Sequence, residues 1–231
     1  DALGPTHEAN LYYVGKVGKM GIDFNGTYLW KKGGRNMQET EDATGMESRE
    51  VHTSSTTHNR LLAGKLALSY PVGKGQMEFG SEVTTTRSRG VYANDEGYVA
   101  SSSTDVKERN VAGFLMMSYP LGNLSLSGGV RYEHVVSDYY SFGEWQSEPS
   151  RRYNNWFPNL SLEWNKGKWN VSLAYTCKTQ RPSYNSLRNE VQYDNRFMYE
   201  GGNPYLRPTI ANDVSLDVVC SWLSFGVDYT Y

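Results

Sequence analysis

The sequence predicts an all-β chain, an antiparallel, up-and-down β-barrel whose strands cross a membrane. About ten stretches alternate apolar and polar residues, the connections between them alternate between short and long, and aromatic residues stand beside the short connections. A period of two is typical of strands with one apolar and one polar face. The alternating connections and the aromatic ends are typical of a barrel that spans a bilayer.

Residues 111–133 carry the clearest hairpin, as two strands joined at residues 120–123. Every second residue from Leu124 to Tyr132 is apolar or glycine, and serine, arginine and glutamate stand among the residues between them. Proline and glycine in the connection end the first strand and permit the reversal. A soluble sheet would alternate in the same way, so this hairpin alone does not distinguish water from lipid.

Read in order, the chain contains ten such strands in five pairs. Short turns lie near Gly18, Gly73, Gly122, Gly167 and Ser221. Polar connections are predicted over residues 31–49, 90–104 and 137–152, followed by a long segment over 178–211. The predicted strands are residues 10–17, 22–30, 51–70, 77–89, 111–119, 124–133, 159–164, 169–175, 214–218 and 225–231.

The composition agrees with strands that cross a membrane. Only 38% of the residues are hydrophobic, and no run approaches the ~18 apolar residues of a membrane helix. Each apolar stripe is about nine or ten residues long, the length of a tilted membrane strand. An interfacial girdle explains the aromatic residues near the short turns, which are Tyr70, Tyr119, Trp164, Trp169 and Trp222. A soluble β-sandwich is the alternative, because its buried faces alternate too.

The polar face of the strands is predicted to line a wet or plugged lumen, since charges face lipid only at high cost. These residues form either a hydrated wall with ion pairs or a substrate path. They are Asp23, Asn25, Glu78, Glu82, Ser125, Arg131, Glu133, Ser161, Glu163, Asn170, Ser172 and Asp228.

Motifs for catalysis or cofactors are weak. His52 and His58 lack the close spacing of a metal site, and no phosphate-binding loop, nucleophile elbow or Cys-x-x-Cys appears, so no cofactor is predicted. Cys177 and Cys220 fall at different heights of the predicted barrel and should be free thiols, because a disulfide needs Cα atoms within about 7 Å. The net charge of −2 gives no reason to expect nucleic acid as a partner.

Residues 181–208 (RPSYNSLRNEVQYDNRFMYEGGNPYLRP) resemble a signature of TonB-dependent outer-membrane receptors, particularly the Bacteroidetes outer-membrane beta-barrel family. The family pattern is R-P-x-Y-x-x-L, a tyrosine-rich stretch, then G-N-P-x-L-x-P. The matching residues are Arg181, Pro182, Tyr184, Leu187, Gly202, Asn203, Pro204, Leu206 and Pro208. Two upstream elements are similar as well, residues 153–162 (YNNWFPNLSL) and the strand that contains Gly129, Arg131, Tyr132 and Glu133.

The Gly-Asn-Pro stretch of this segment predicts a fixed bend before the next membrane strand. Glycine and asparagine tolerate positive φ, and the two prolines, Pro204 and Pro208, cannot join a strand ladder.

The resemblance implies energised uptake of a scarce nutrient, such as an iron chelate, vitamin, glycan or peptide, in the bacterial outer membrane. Family members carry a plug inside a 22-strand barrel and a segment that engages TonB, and a surface lipoprotein is a further partner. Neither plug nor signal peptide is recognisable, so residues 1–231 are predicted to be a single barrel region of a larger protein.

A complete ten-stranded barrel is the alternative, acting as an adhesin or as an enzyme of the protease or lipase kind. The nearest catalytic pair would be His134 with Asp138, which share a strand face. A solvated strand end is the preferred interpretation of that pair, and the chain is not predicted to be an enzyme.

Two regions that combine rings with cationic or amide groups are candidate ligand sites. Rings give contact area and stack on sugars or planar chelates, and arginine pairs with carboxylates. The first contains Tyr139, Tyr140, Trp145, Arg151 and Arg152, and the second contains Tyr184, Tyr193, Arg196 and Tyr199.

Overall fold

Strands dominate the computed structural model, which describes residues 4–231. They are β1 (Thr6–Val17), β2 (Met20–Glu41), β3 (Arg49–Val72), β4 (Gly75–Asn94), β5 (Ser102–Leu121), β6 (Leu124–Ser141), β7 (Glu144–Lys166), β8 (Trp169–Gln180), β9 (Val191–Asn195), β10 (Met198–Gly201), β11 (Thr209–Cys220) and β12 (Leu223–Thr230). Residues 4–231 contain no helix that is long and apolar enough to cross a bilayer.

Ten of these strands form one antiparallel sheet in the order β1 to β8, then β11 and β12, and β9 pairs only with β10. The ten predicted strands and their order are therefore confirmed. β1 and β12 are the two edges of this sheet. The hairpin of β9 and β10 was not predicted, because its strands are too short to show a period.

The predicted polar loops are much shorter than expected. β2 continues to Glu41 and β3 begins at Arg49, while β4 continues to Asn94 and β5 begins at Ser102. The extension of β2 is polar on both faces, and the short extensions of β4 and β5 show no alternation of polar and apolar residues, yet the backbone ladder runs through all of them unbroken. The interpretation of residues 31–49 and 90–104 as loops was wrong for most of their length.

The third predicted loop is a tight turn. β6 reaches Ser141, β7 starts at Glu144, and the two residues between them, Phe142 and Gly143, have φ angles of 49° and 86°. Two residues with positive φ suit a tight hairpin, because their twist matches that of the strands. The predicted alternation of short and long connections therefore fails at this position.

The register places the predicted lumen residues on one face of the sheet. Lys65, Glu82, Ala112 and Glu133 lie opposite one another across four strands, so their side chains share a face. We call this polar surface the inner face. The opposite or outer face exposes large apolar side chains, among them Leu62, Val83, Leu115, Leu126, Leu160 and Leu173. A continuous apolar face of this kind is what a bilayer covers.

Aromatic rings border the apolar band at both of its ends. Near the short turns, Trp222 is 89% exposed, and Trp169 and Tyr70 are exposed as well. At the other end the rings of Tyr132 and Trp156 lie 4.8 Å apart between centroids on the outer face. Rings at both ends of an apolar band are typical of the two membrane interfaces, and the strand ends beyond Tyr132 therefore project out of the bilayer.

Candidate functional site

The segment of residues 181–208, which we call the strap, leaves the end of β8 and crosses the inner face of the projecting strands. An ion pair attaches its first residue to β6, since Arg181 Nη2 donates a hydrogen bond to Glu133 Oε2 at 2.5 Å. Glu133 also accepts a hydrogen bond from Arg131 Nε at 2.7 Å, and Arg131 Nη1 donates to Glu82 at 3.2 Å. Two segments that carry the sequence resemblance, around residues 131–133 and at residue 181, thus meet in one ion-pair network.

A cavity of about 290 Å³ lies between the strap and the inner face. Three predicted ligand residues line it, Tyr139, Arg151 and Tyr184. Family-motif residues form much of its remaining wall, namely Pro182, Leu187, Pro204, Leu206 and Pro208. The cavity is therefore the place where the sequence motif and the predicted binding residues coincide.

The pKa values of two acidic groups on this cavity, Tyr184 and Glu108, are raised, which favours their neutral forms. Tyr184 donates its hydroxyl hydrogen to Glu108 Oε1 at 3.3 Å. Burial and the nearby Glu108 raise the pKa of Tyr184 to about 12. Burial also raises the pKa of Glu108, against the attraction of Arg181. Glu108 was missed by the sequence analysis, because one acidic residue on a long polar strand carries no distinguishing pattern.

Tyr139 and Arg151 tie the strap to β6 and β7. The hydroxyl of Tyr139, a residue only 4% exposed, accepts a hydrogen bond from the Asn189 backbone N–H at 3.1 Å. Burial raises the pKa of Tyr139. Arg151 Nη2 donates to the Tyr205 carbonyl at 3.0 Å, while its buried Nε has no hydrogen-bond partner. Arg151 thus fastens the strap and forms part of the cavity wall.

The remaining members of the second predicted site lie together at the tip of the strap. Tyr193 packs in a small core with Val51, Tyr92 and Val99, and its hydroxyl donates to Glu41 Oε2 at 2.7 Å. Tyr199 meets Tyr193 edge to face, with 5.6 Å between ring centroids.

Glu41 is the anchor for this tip. The Arg196 backbone N–H donates to its carboxylate at 3.2 Å, and Arg49 Nε does so at 2.9 Å. Burial would raise the pKa of Glu41, but the hydrogen bonds from Tyr193, Arg49 and Arg196 outweigh burial, so this pKa lies below its usual value. Tyr193 and Arg196 therefore fasten the tip of the strap to Glu41 at the end of β2. Tyr199 is an exposed ring at this tip.

The structure separates the other predicted residues from this site. Tyr140 and Trp145 are register partners on the outer face, where the Lys107 ammonium lies 4.1 Å from the Tyr140 ring centroid. Arg152 is exposed and belongs to the same outer face. Alternate residues of a strand point to opposite sides, so neighbours in sequence such as Tyr139 and Tyr140 do not share a site.

The Gly-Asn-Pro stretch forms the predicted bend just before β11, but for a different reason. The positive φ angles in the described chain lie elsewhere. Gly202 is required for space, since a Cβ there would lie 2.4 Å from the Arg188 carbonyl oxygen. The Asn203 N–H donates to the Ser186 carbonyl at 2.7 Å, and its Oδ1 accepts the Tyr205 N–H at 2.9 Å.

The histidines and cysteines singled out in the sequence lie outside the lining of the strap cavity. His52 contacts Glu96, and His134 Nδ1 lies 2.8 Å from Asn154 Oδ1. Cys177 and Cys220 are free, as predicted, because Cys177 lies opposite Asn212 while Cys220 ends the same neighbouring strand. Among residues 4–231 no group of three or more His, Cys, Asp or Glu side chains could hold a metal ion.

An outer-membrane barrel is the class that the fold and the inner-face site define, and sequence comparison agrees. Residues 16–231 match the outer membrane protein beta-barrel family, and the chain belongs to that family. Its place is accordingly the bacterial outer membrane. No curated protein matches the chain in sequence.

Solved structures of uptake proteins share the fold. The chain resembles the ferric citrate transporter FecA (14% identity, TM-score 0.61), with 92% of this chain and 32% of that chain covered. The ferric yersiniabactin uptake receptor FyuA from Yersinia pestis gives 14% identity and TM-score 0.64, with 97% and 35% covered. The copper transporter OprC gives 14% identity and a TM-score of 0.69, with 97% of this chain and 40% of that chain covered. The chain thus spans about a third of their length, and these neighbours are transporters and receptors.

Proposed function

We propose that the chain is the barrel portion of a TonB-dependent receptor of the Bacteroidetes kind, which takes up a nutrient by energised transport. The observation that carries the proposal is the strap, fastened across the inner face by the network of Arg181, Glu133 and Arg131. A plain pore leaves its wall bare, whereas this strap crosses the inner face and adds rings and polar groups to it.

The proposed ligand is an iron chelate, vitamin, glycan or peptide, met first on the extracellular side. A cavity of about 290 Å³ is at the small end for a ligand site, so it suits one ring or end group of a larger molecule. Tyr184 offers a stacking surface there, and Arg151 brings a guanidinium group to the cavity wall. Tyr199 extends the surface at the strap tip.

The whole receptor includes parts beyond this sheet. Strands β1 and β12 end the sheet, and each edge leaves a row of backbone donors and acceptors for another strand. Further strands of a 22-strand barrel would pair with these edges. The proposed receptor also has a plug in its lumen and a segment that engages TonB. A surface lipoprotein is its further partner.

Gene deletion tests the transport function. Cells with and without the gene are given labelled ferric citrate, cobalamin, an oligosaccharide and a peptide, each with TonB present and absent. We expect uptake of at least one of these classes to require both the gene and TonB. Equal uptake in all strains for all four classes would remove the proposal.

Variants then test the cavity in the full-length receptor. Replacing Tyr184 by alanine should weaken binding of the transported compound severalfold, since its stacking surface is lost. The matched control replaces Tyr140 and Trp145, which lie on the outer face, and should bind normally. Surface abundance is measured for both. Normal binding by the first variant would place the ligand elsewhere.

A further inference from the structure

Three arginines and a histidine surround one small pocket on the outer face, just beyond the apolar band. The pocket has a volume of about 110 Å³ and is lined by His58, Arg60, Arg87 and Arg89. Cross-strand register pairs Arg60 with Arg87, so two guanidinium groups face each other, and Arg89 lies two residues further along β4, opposite His58. Like charges placed directly opposite on a sheet are destabilising unless something lies between them.

The protein itself neutralises this charge only in part. Asp105 pairs with Arg87, with 2.5 Å between Nη2 and Oδ2. Within residues 4–231 no ion pair or side-chain hydrogen bond involves Arg60, Arg89 or His58. All three are exposed. The pocket therefore presents an excess of positive charge to whatever lies beside the barrel wall.

An apolar groove of about 520 Å³ lies on the same face and the same strands, nearer the centre of the membrane. Its floor is made by Gly26 and Gly64, which are register partners, and its walls include Phe24, Leu62 and Val83. A Cβ at Gly64 would meet nothing within 4 Å, so the groove there is open space. Paired glycines in a strand interior present no side chain to fill such a groove, so a ligand can approach the backbone closely there.

The two features are aligned along the strands. Arg60 and Gly64 are both on β3, four residues apart on the same face, which corresponds to about 13 Å at the rise of a strand. The cationic pocket thus stands at the headgroup level above an acyl-sized groove. Arginine forks match phosphate geometry bidentately, and a phosphate among these side chains would relieve their mutual repulsion.

We propose that this surface binds one phosphorylated lipid of the outer leaflet, with its phosphate between Arg60 and Arg89 and an acyl chain in the groove over Gly26 and Gly64. Ion pairs with the arginines bind the phosphate, and the apolar groove binds the acyl chain. This site is separate from the strap cavity, since the two lie on opposite faces of the sheet.

Native mass spectrometry of the full-length protein in detergent tests the proposal, with phosphorylated lipid A as the probe. We expect the R60Q/R89Q variant to retain at least tenfold less lipid A than the wild type. Gly64→Leu adds a side chain at a position where a Cβ meets nothing within 4 Å, and it should weaken retention by a similar factor. The control K166Q/K168Q removes the same charge at the opposite end of the barrel and should retain lipid normally.

Two further probes separate the sources of binding. Dephosphorylated lipid A should bind the wild type at least tenfold more weakly, and inorganic phosphate should not displace phosphorylated lipid A at equal concentration. Wild-type retention by R60Q/R89Q or by Gly64→Leu would overturn the proposal, as would equal binding of the dephosphorylated lipid. Displacement by inorganic phosphate would show an anion site that does not recognise lipid. Heat-modifiable migration in gels checks that each variant is folded.

Discussion

Glu133 is the residue on which the inner-face network depends, because Arg131 and Arg181 both donate to it. We predict that Glu133→Gln lowers the free energy of unfolding by about 2 kcal/mol, since hydrogen bonds between charged groups are lost in a partly buried site. Urea unfolding of the full-length protein in detergent measures this. The control Glu163→Gln, on the same face, should change stability little, and an equal effect of both would contradict the assigned role of Glu133.

His52 and Glu96 give the loop between β4 and β5 a predicted pH dependence. The hydrogen bond to Glu96 raises the pKa of His52 from 6.5, so this stabilisation is complete below pH 6.5 and is lost as the pH rises through the raised pKa. The His52 backbone N–H lowers the pKa of Glu96 from 4.5 to about 2, so its contribution is present above pH 4.5 and is lost toward pH 2.

Both contributions act together between about pH 4.5 and 6.5, and the loop should exchange backbone hydrogens most slowly there. Hydrogen exchange of residues 94–99 at pH 5.5 and 8.5, corrected for the intrinsic rate, should show greater protection at the lower pH. His52→Gln should remove the difference, and His58→Gln on the same strand should keep it. A difference that persists in His52→Gln would assign the effect to other groups.

At the scale of elements, the strap depends on a close backbone approach at Gly202. Gly202→Ala would place its Cβ 2.4 Å from the Arg188 carbonyl oxygen, so the strap must shift. We predict severalfold faster proteolysis within residues 185–205 while the ten-stranded sheet stays resistant. Gly201→Ala is the matched control, because the nearest atom to its Cβ is 3.8 Å away. Equal proteolysis of the two variants would contradict this close approach.

For the whole molecule, the orientation in the membrane is predicted from the two ends of the sheet. With Cys177 and Cys220 replaced by serine, single cysteines at Thr44 or Gly97 in the full-length protein should be labelled on intact cells. Cysteines at Lys74 or Lys166, beside the opposite short turns, should be labelled only after permeabilisation. The reverse labelling pattern would contradict this orientation and place the short turns outside the cell.

Much of the membrane-spanning sheet could be predicted from the chain alone. A strand in lipid must separate apolar from polar residues strictly, so the alternation from Leu124 to Tyr132 revealed both the strand and its lipid-facing side. Above the membrane that separation relaxes, which is why the sequence pattern predicts a loop where β2 in fact continues to Glu41. Free thiols at Cys177 and Cys220 followed from strand position in the same way.

The sequence by itself determined the ten strands, their order, the face that meets lipid and the motif residues of the strap. Only the tertiary structure decided that Arg181 reaches Glu133, that Tyr139 faces the lumen while Tyr140 and Trp145 face outward, and that Glu41 anchors the strap tip. Local periodicity follows from the covalent geometry of a strand, whereas a contact between distant segments depends on how a loop folds back across the sheet.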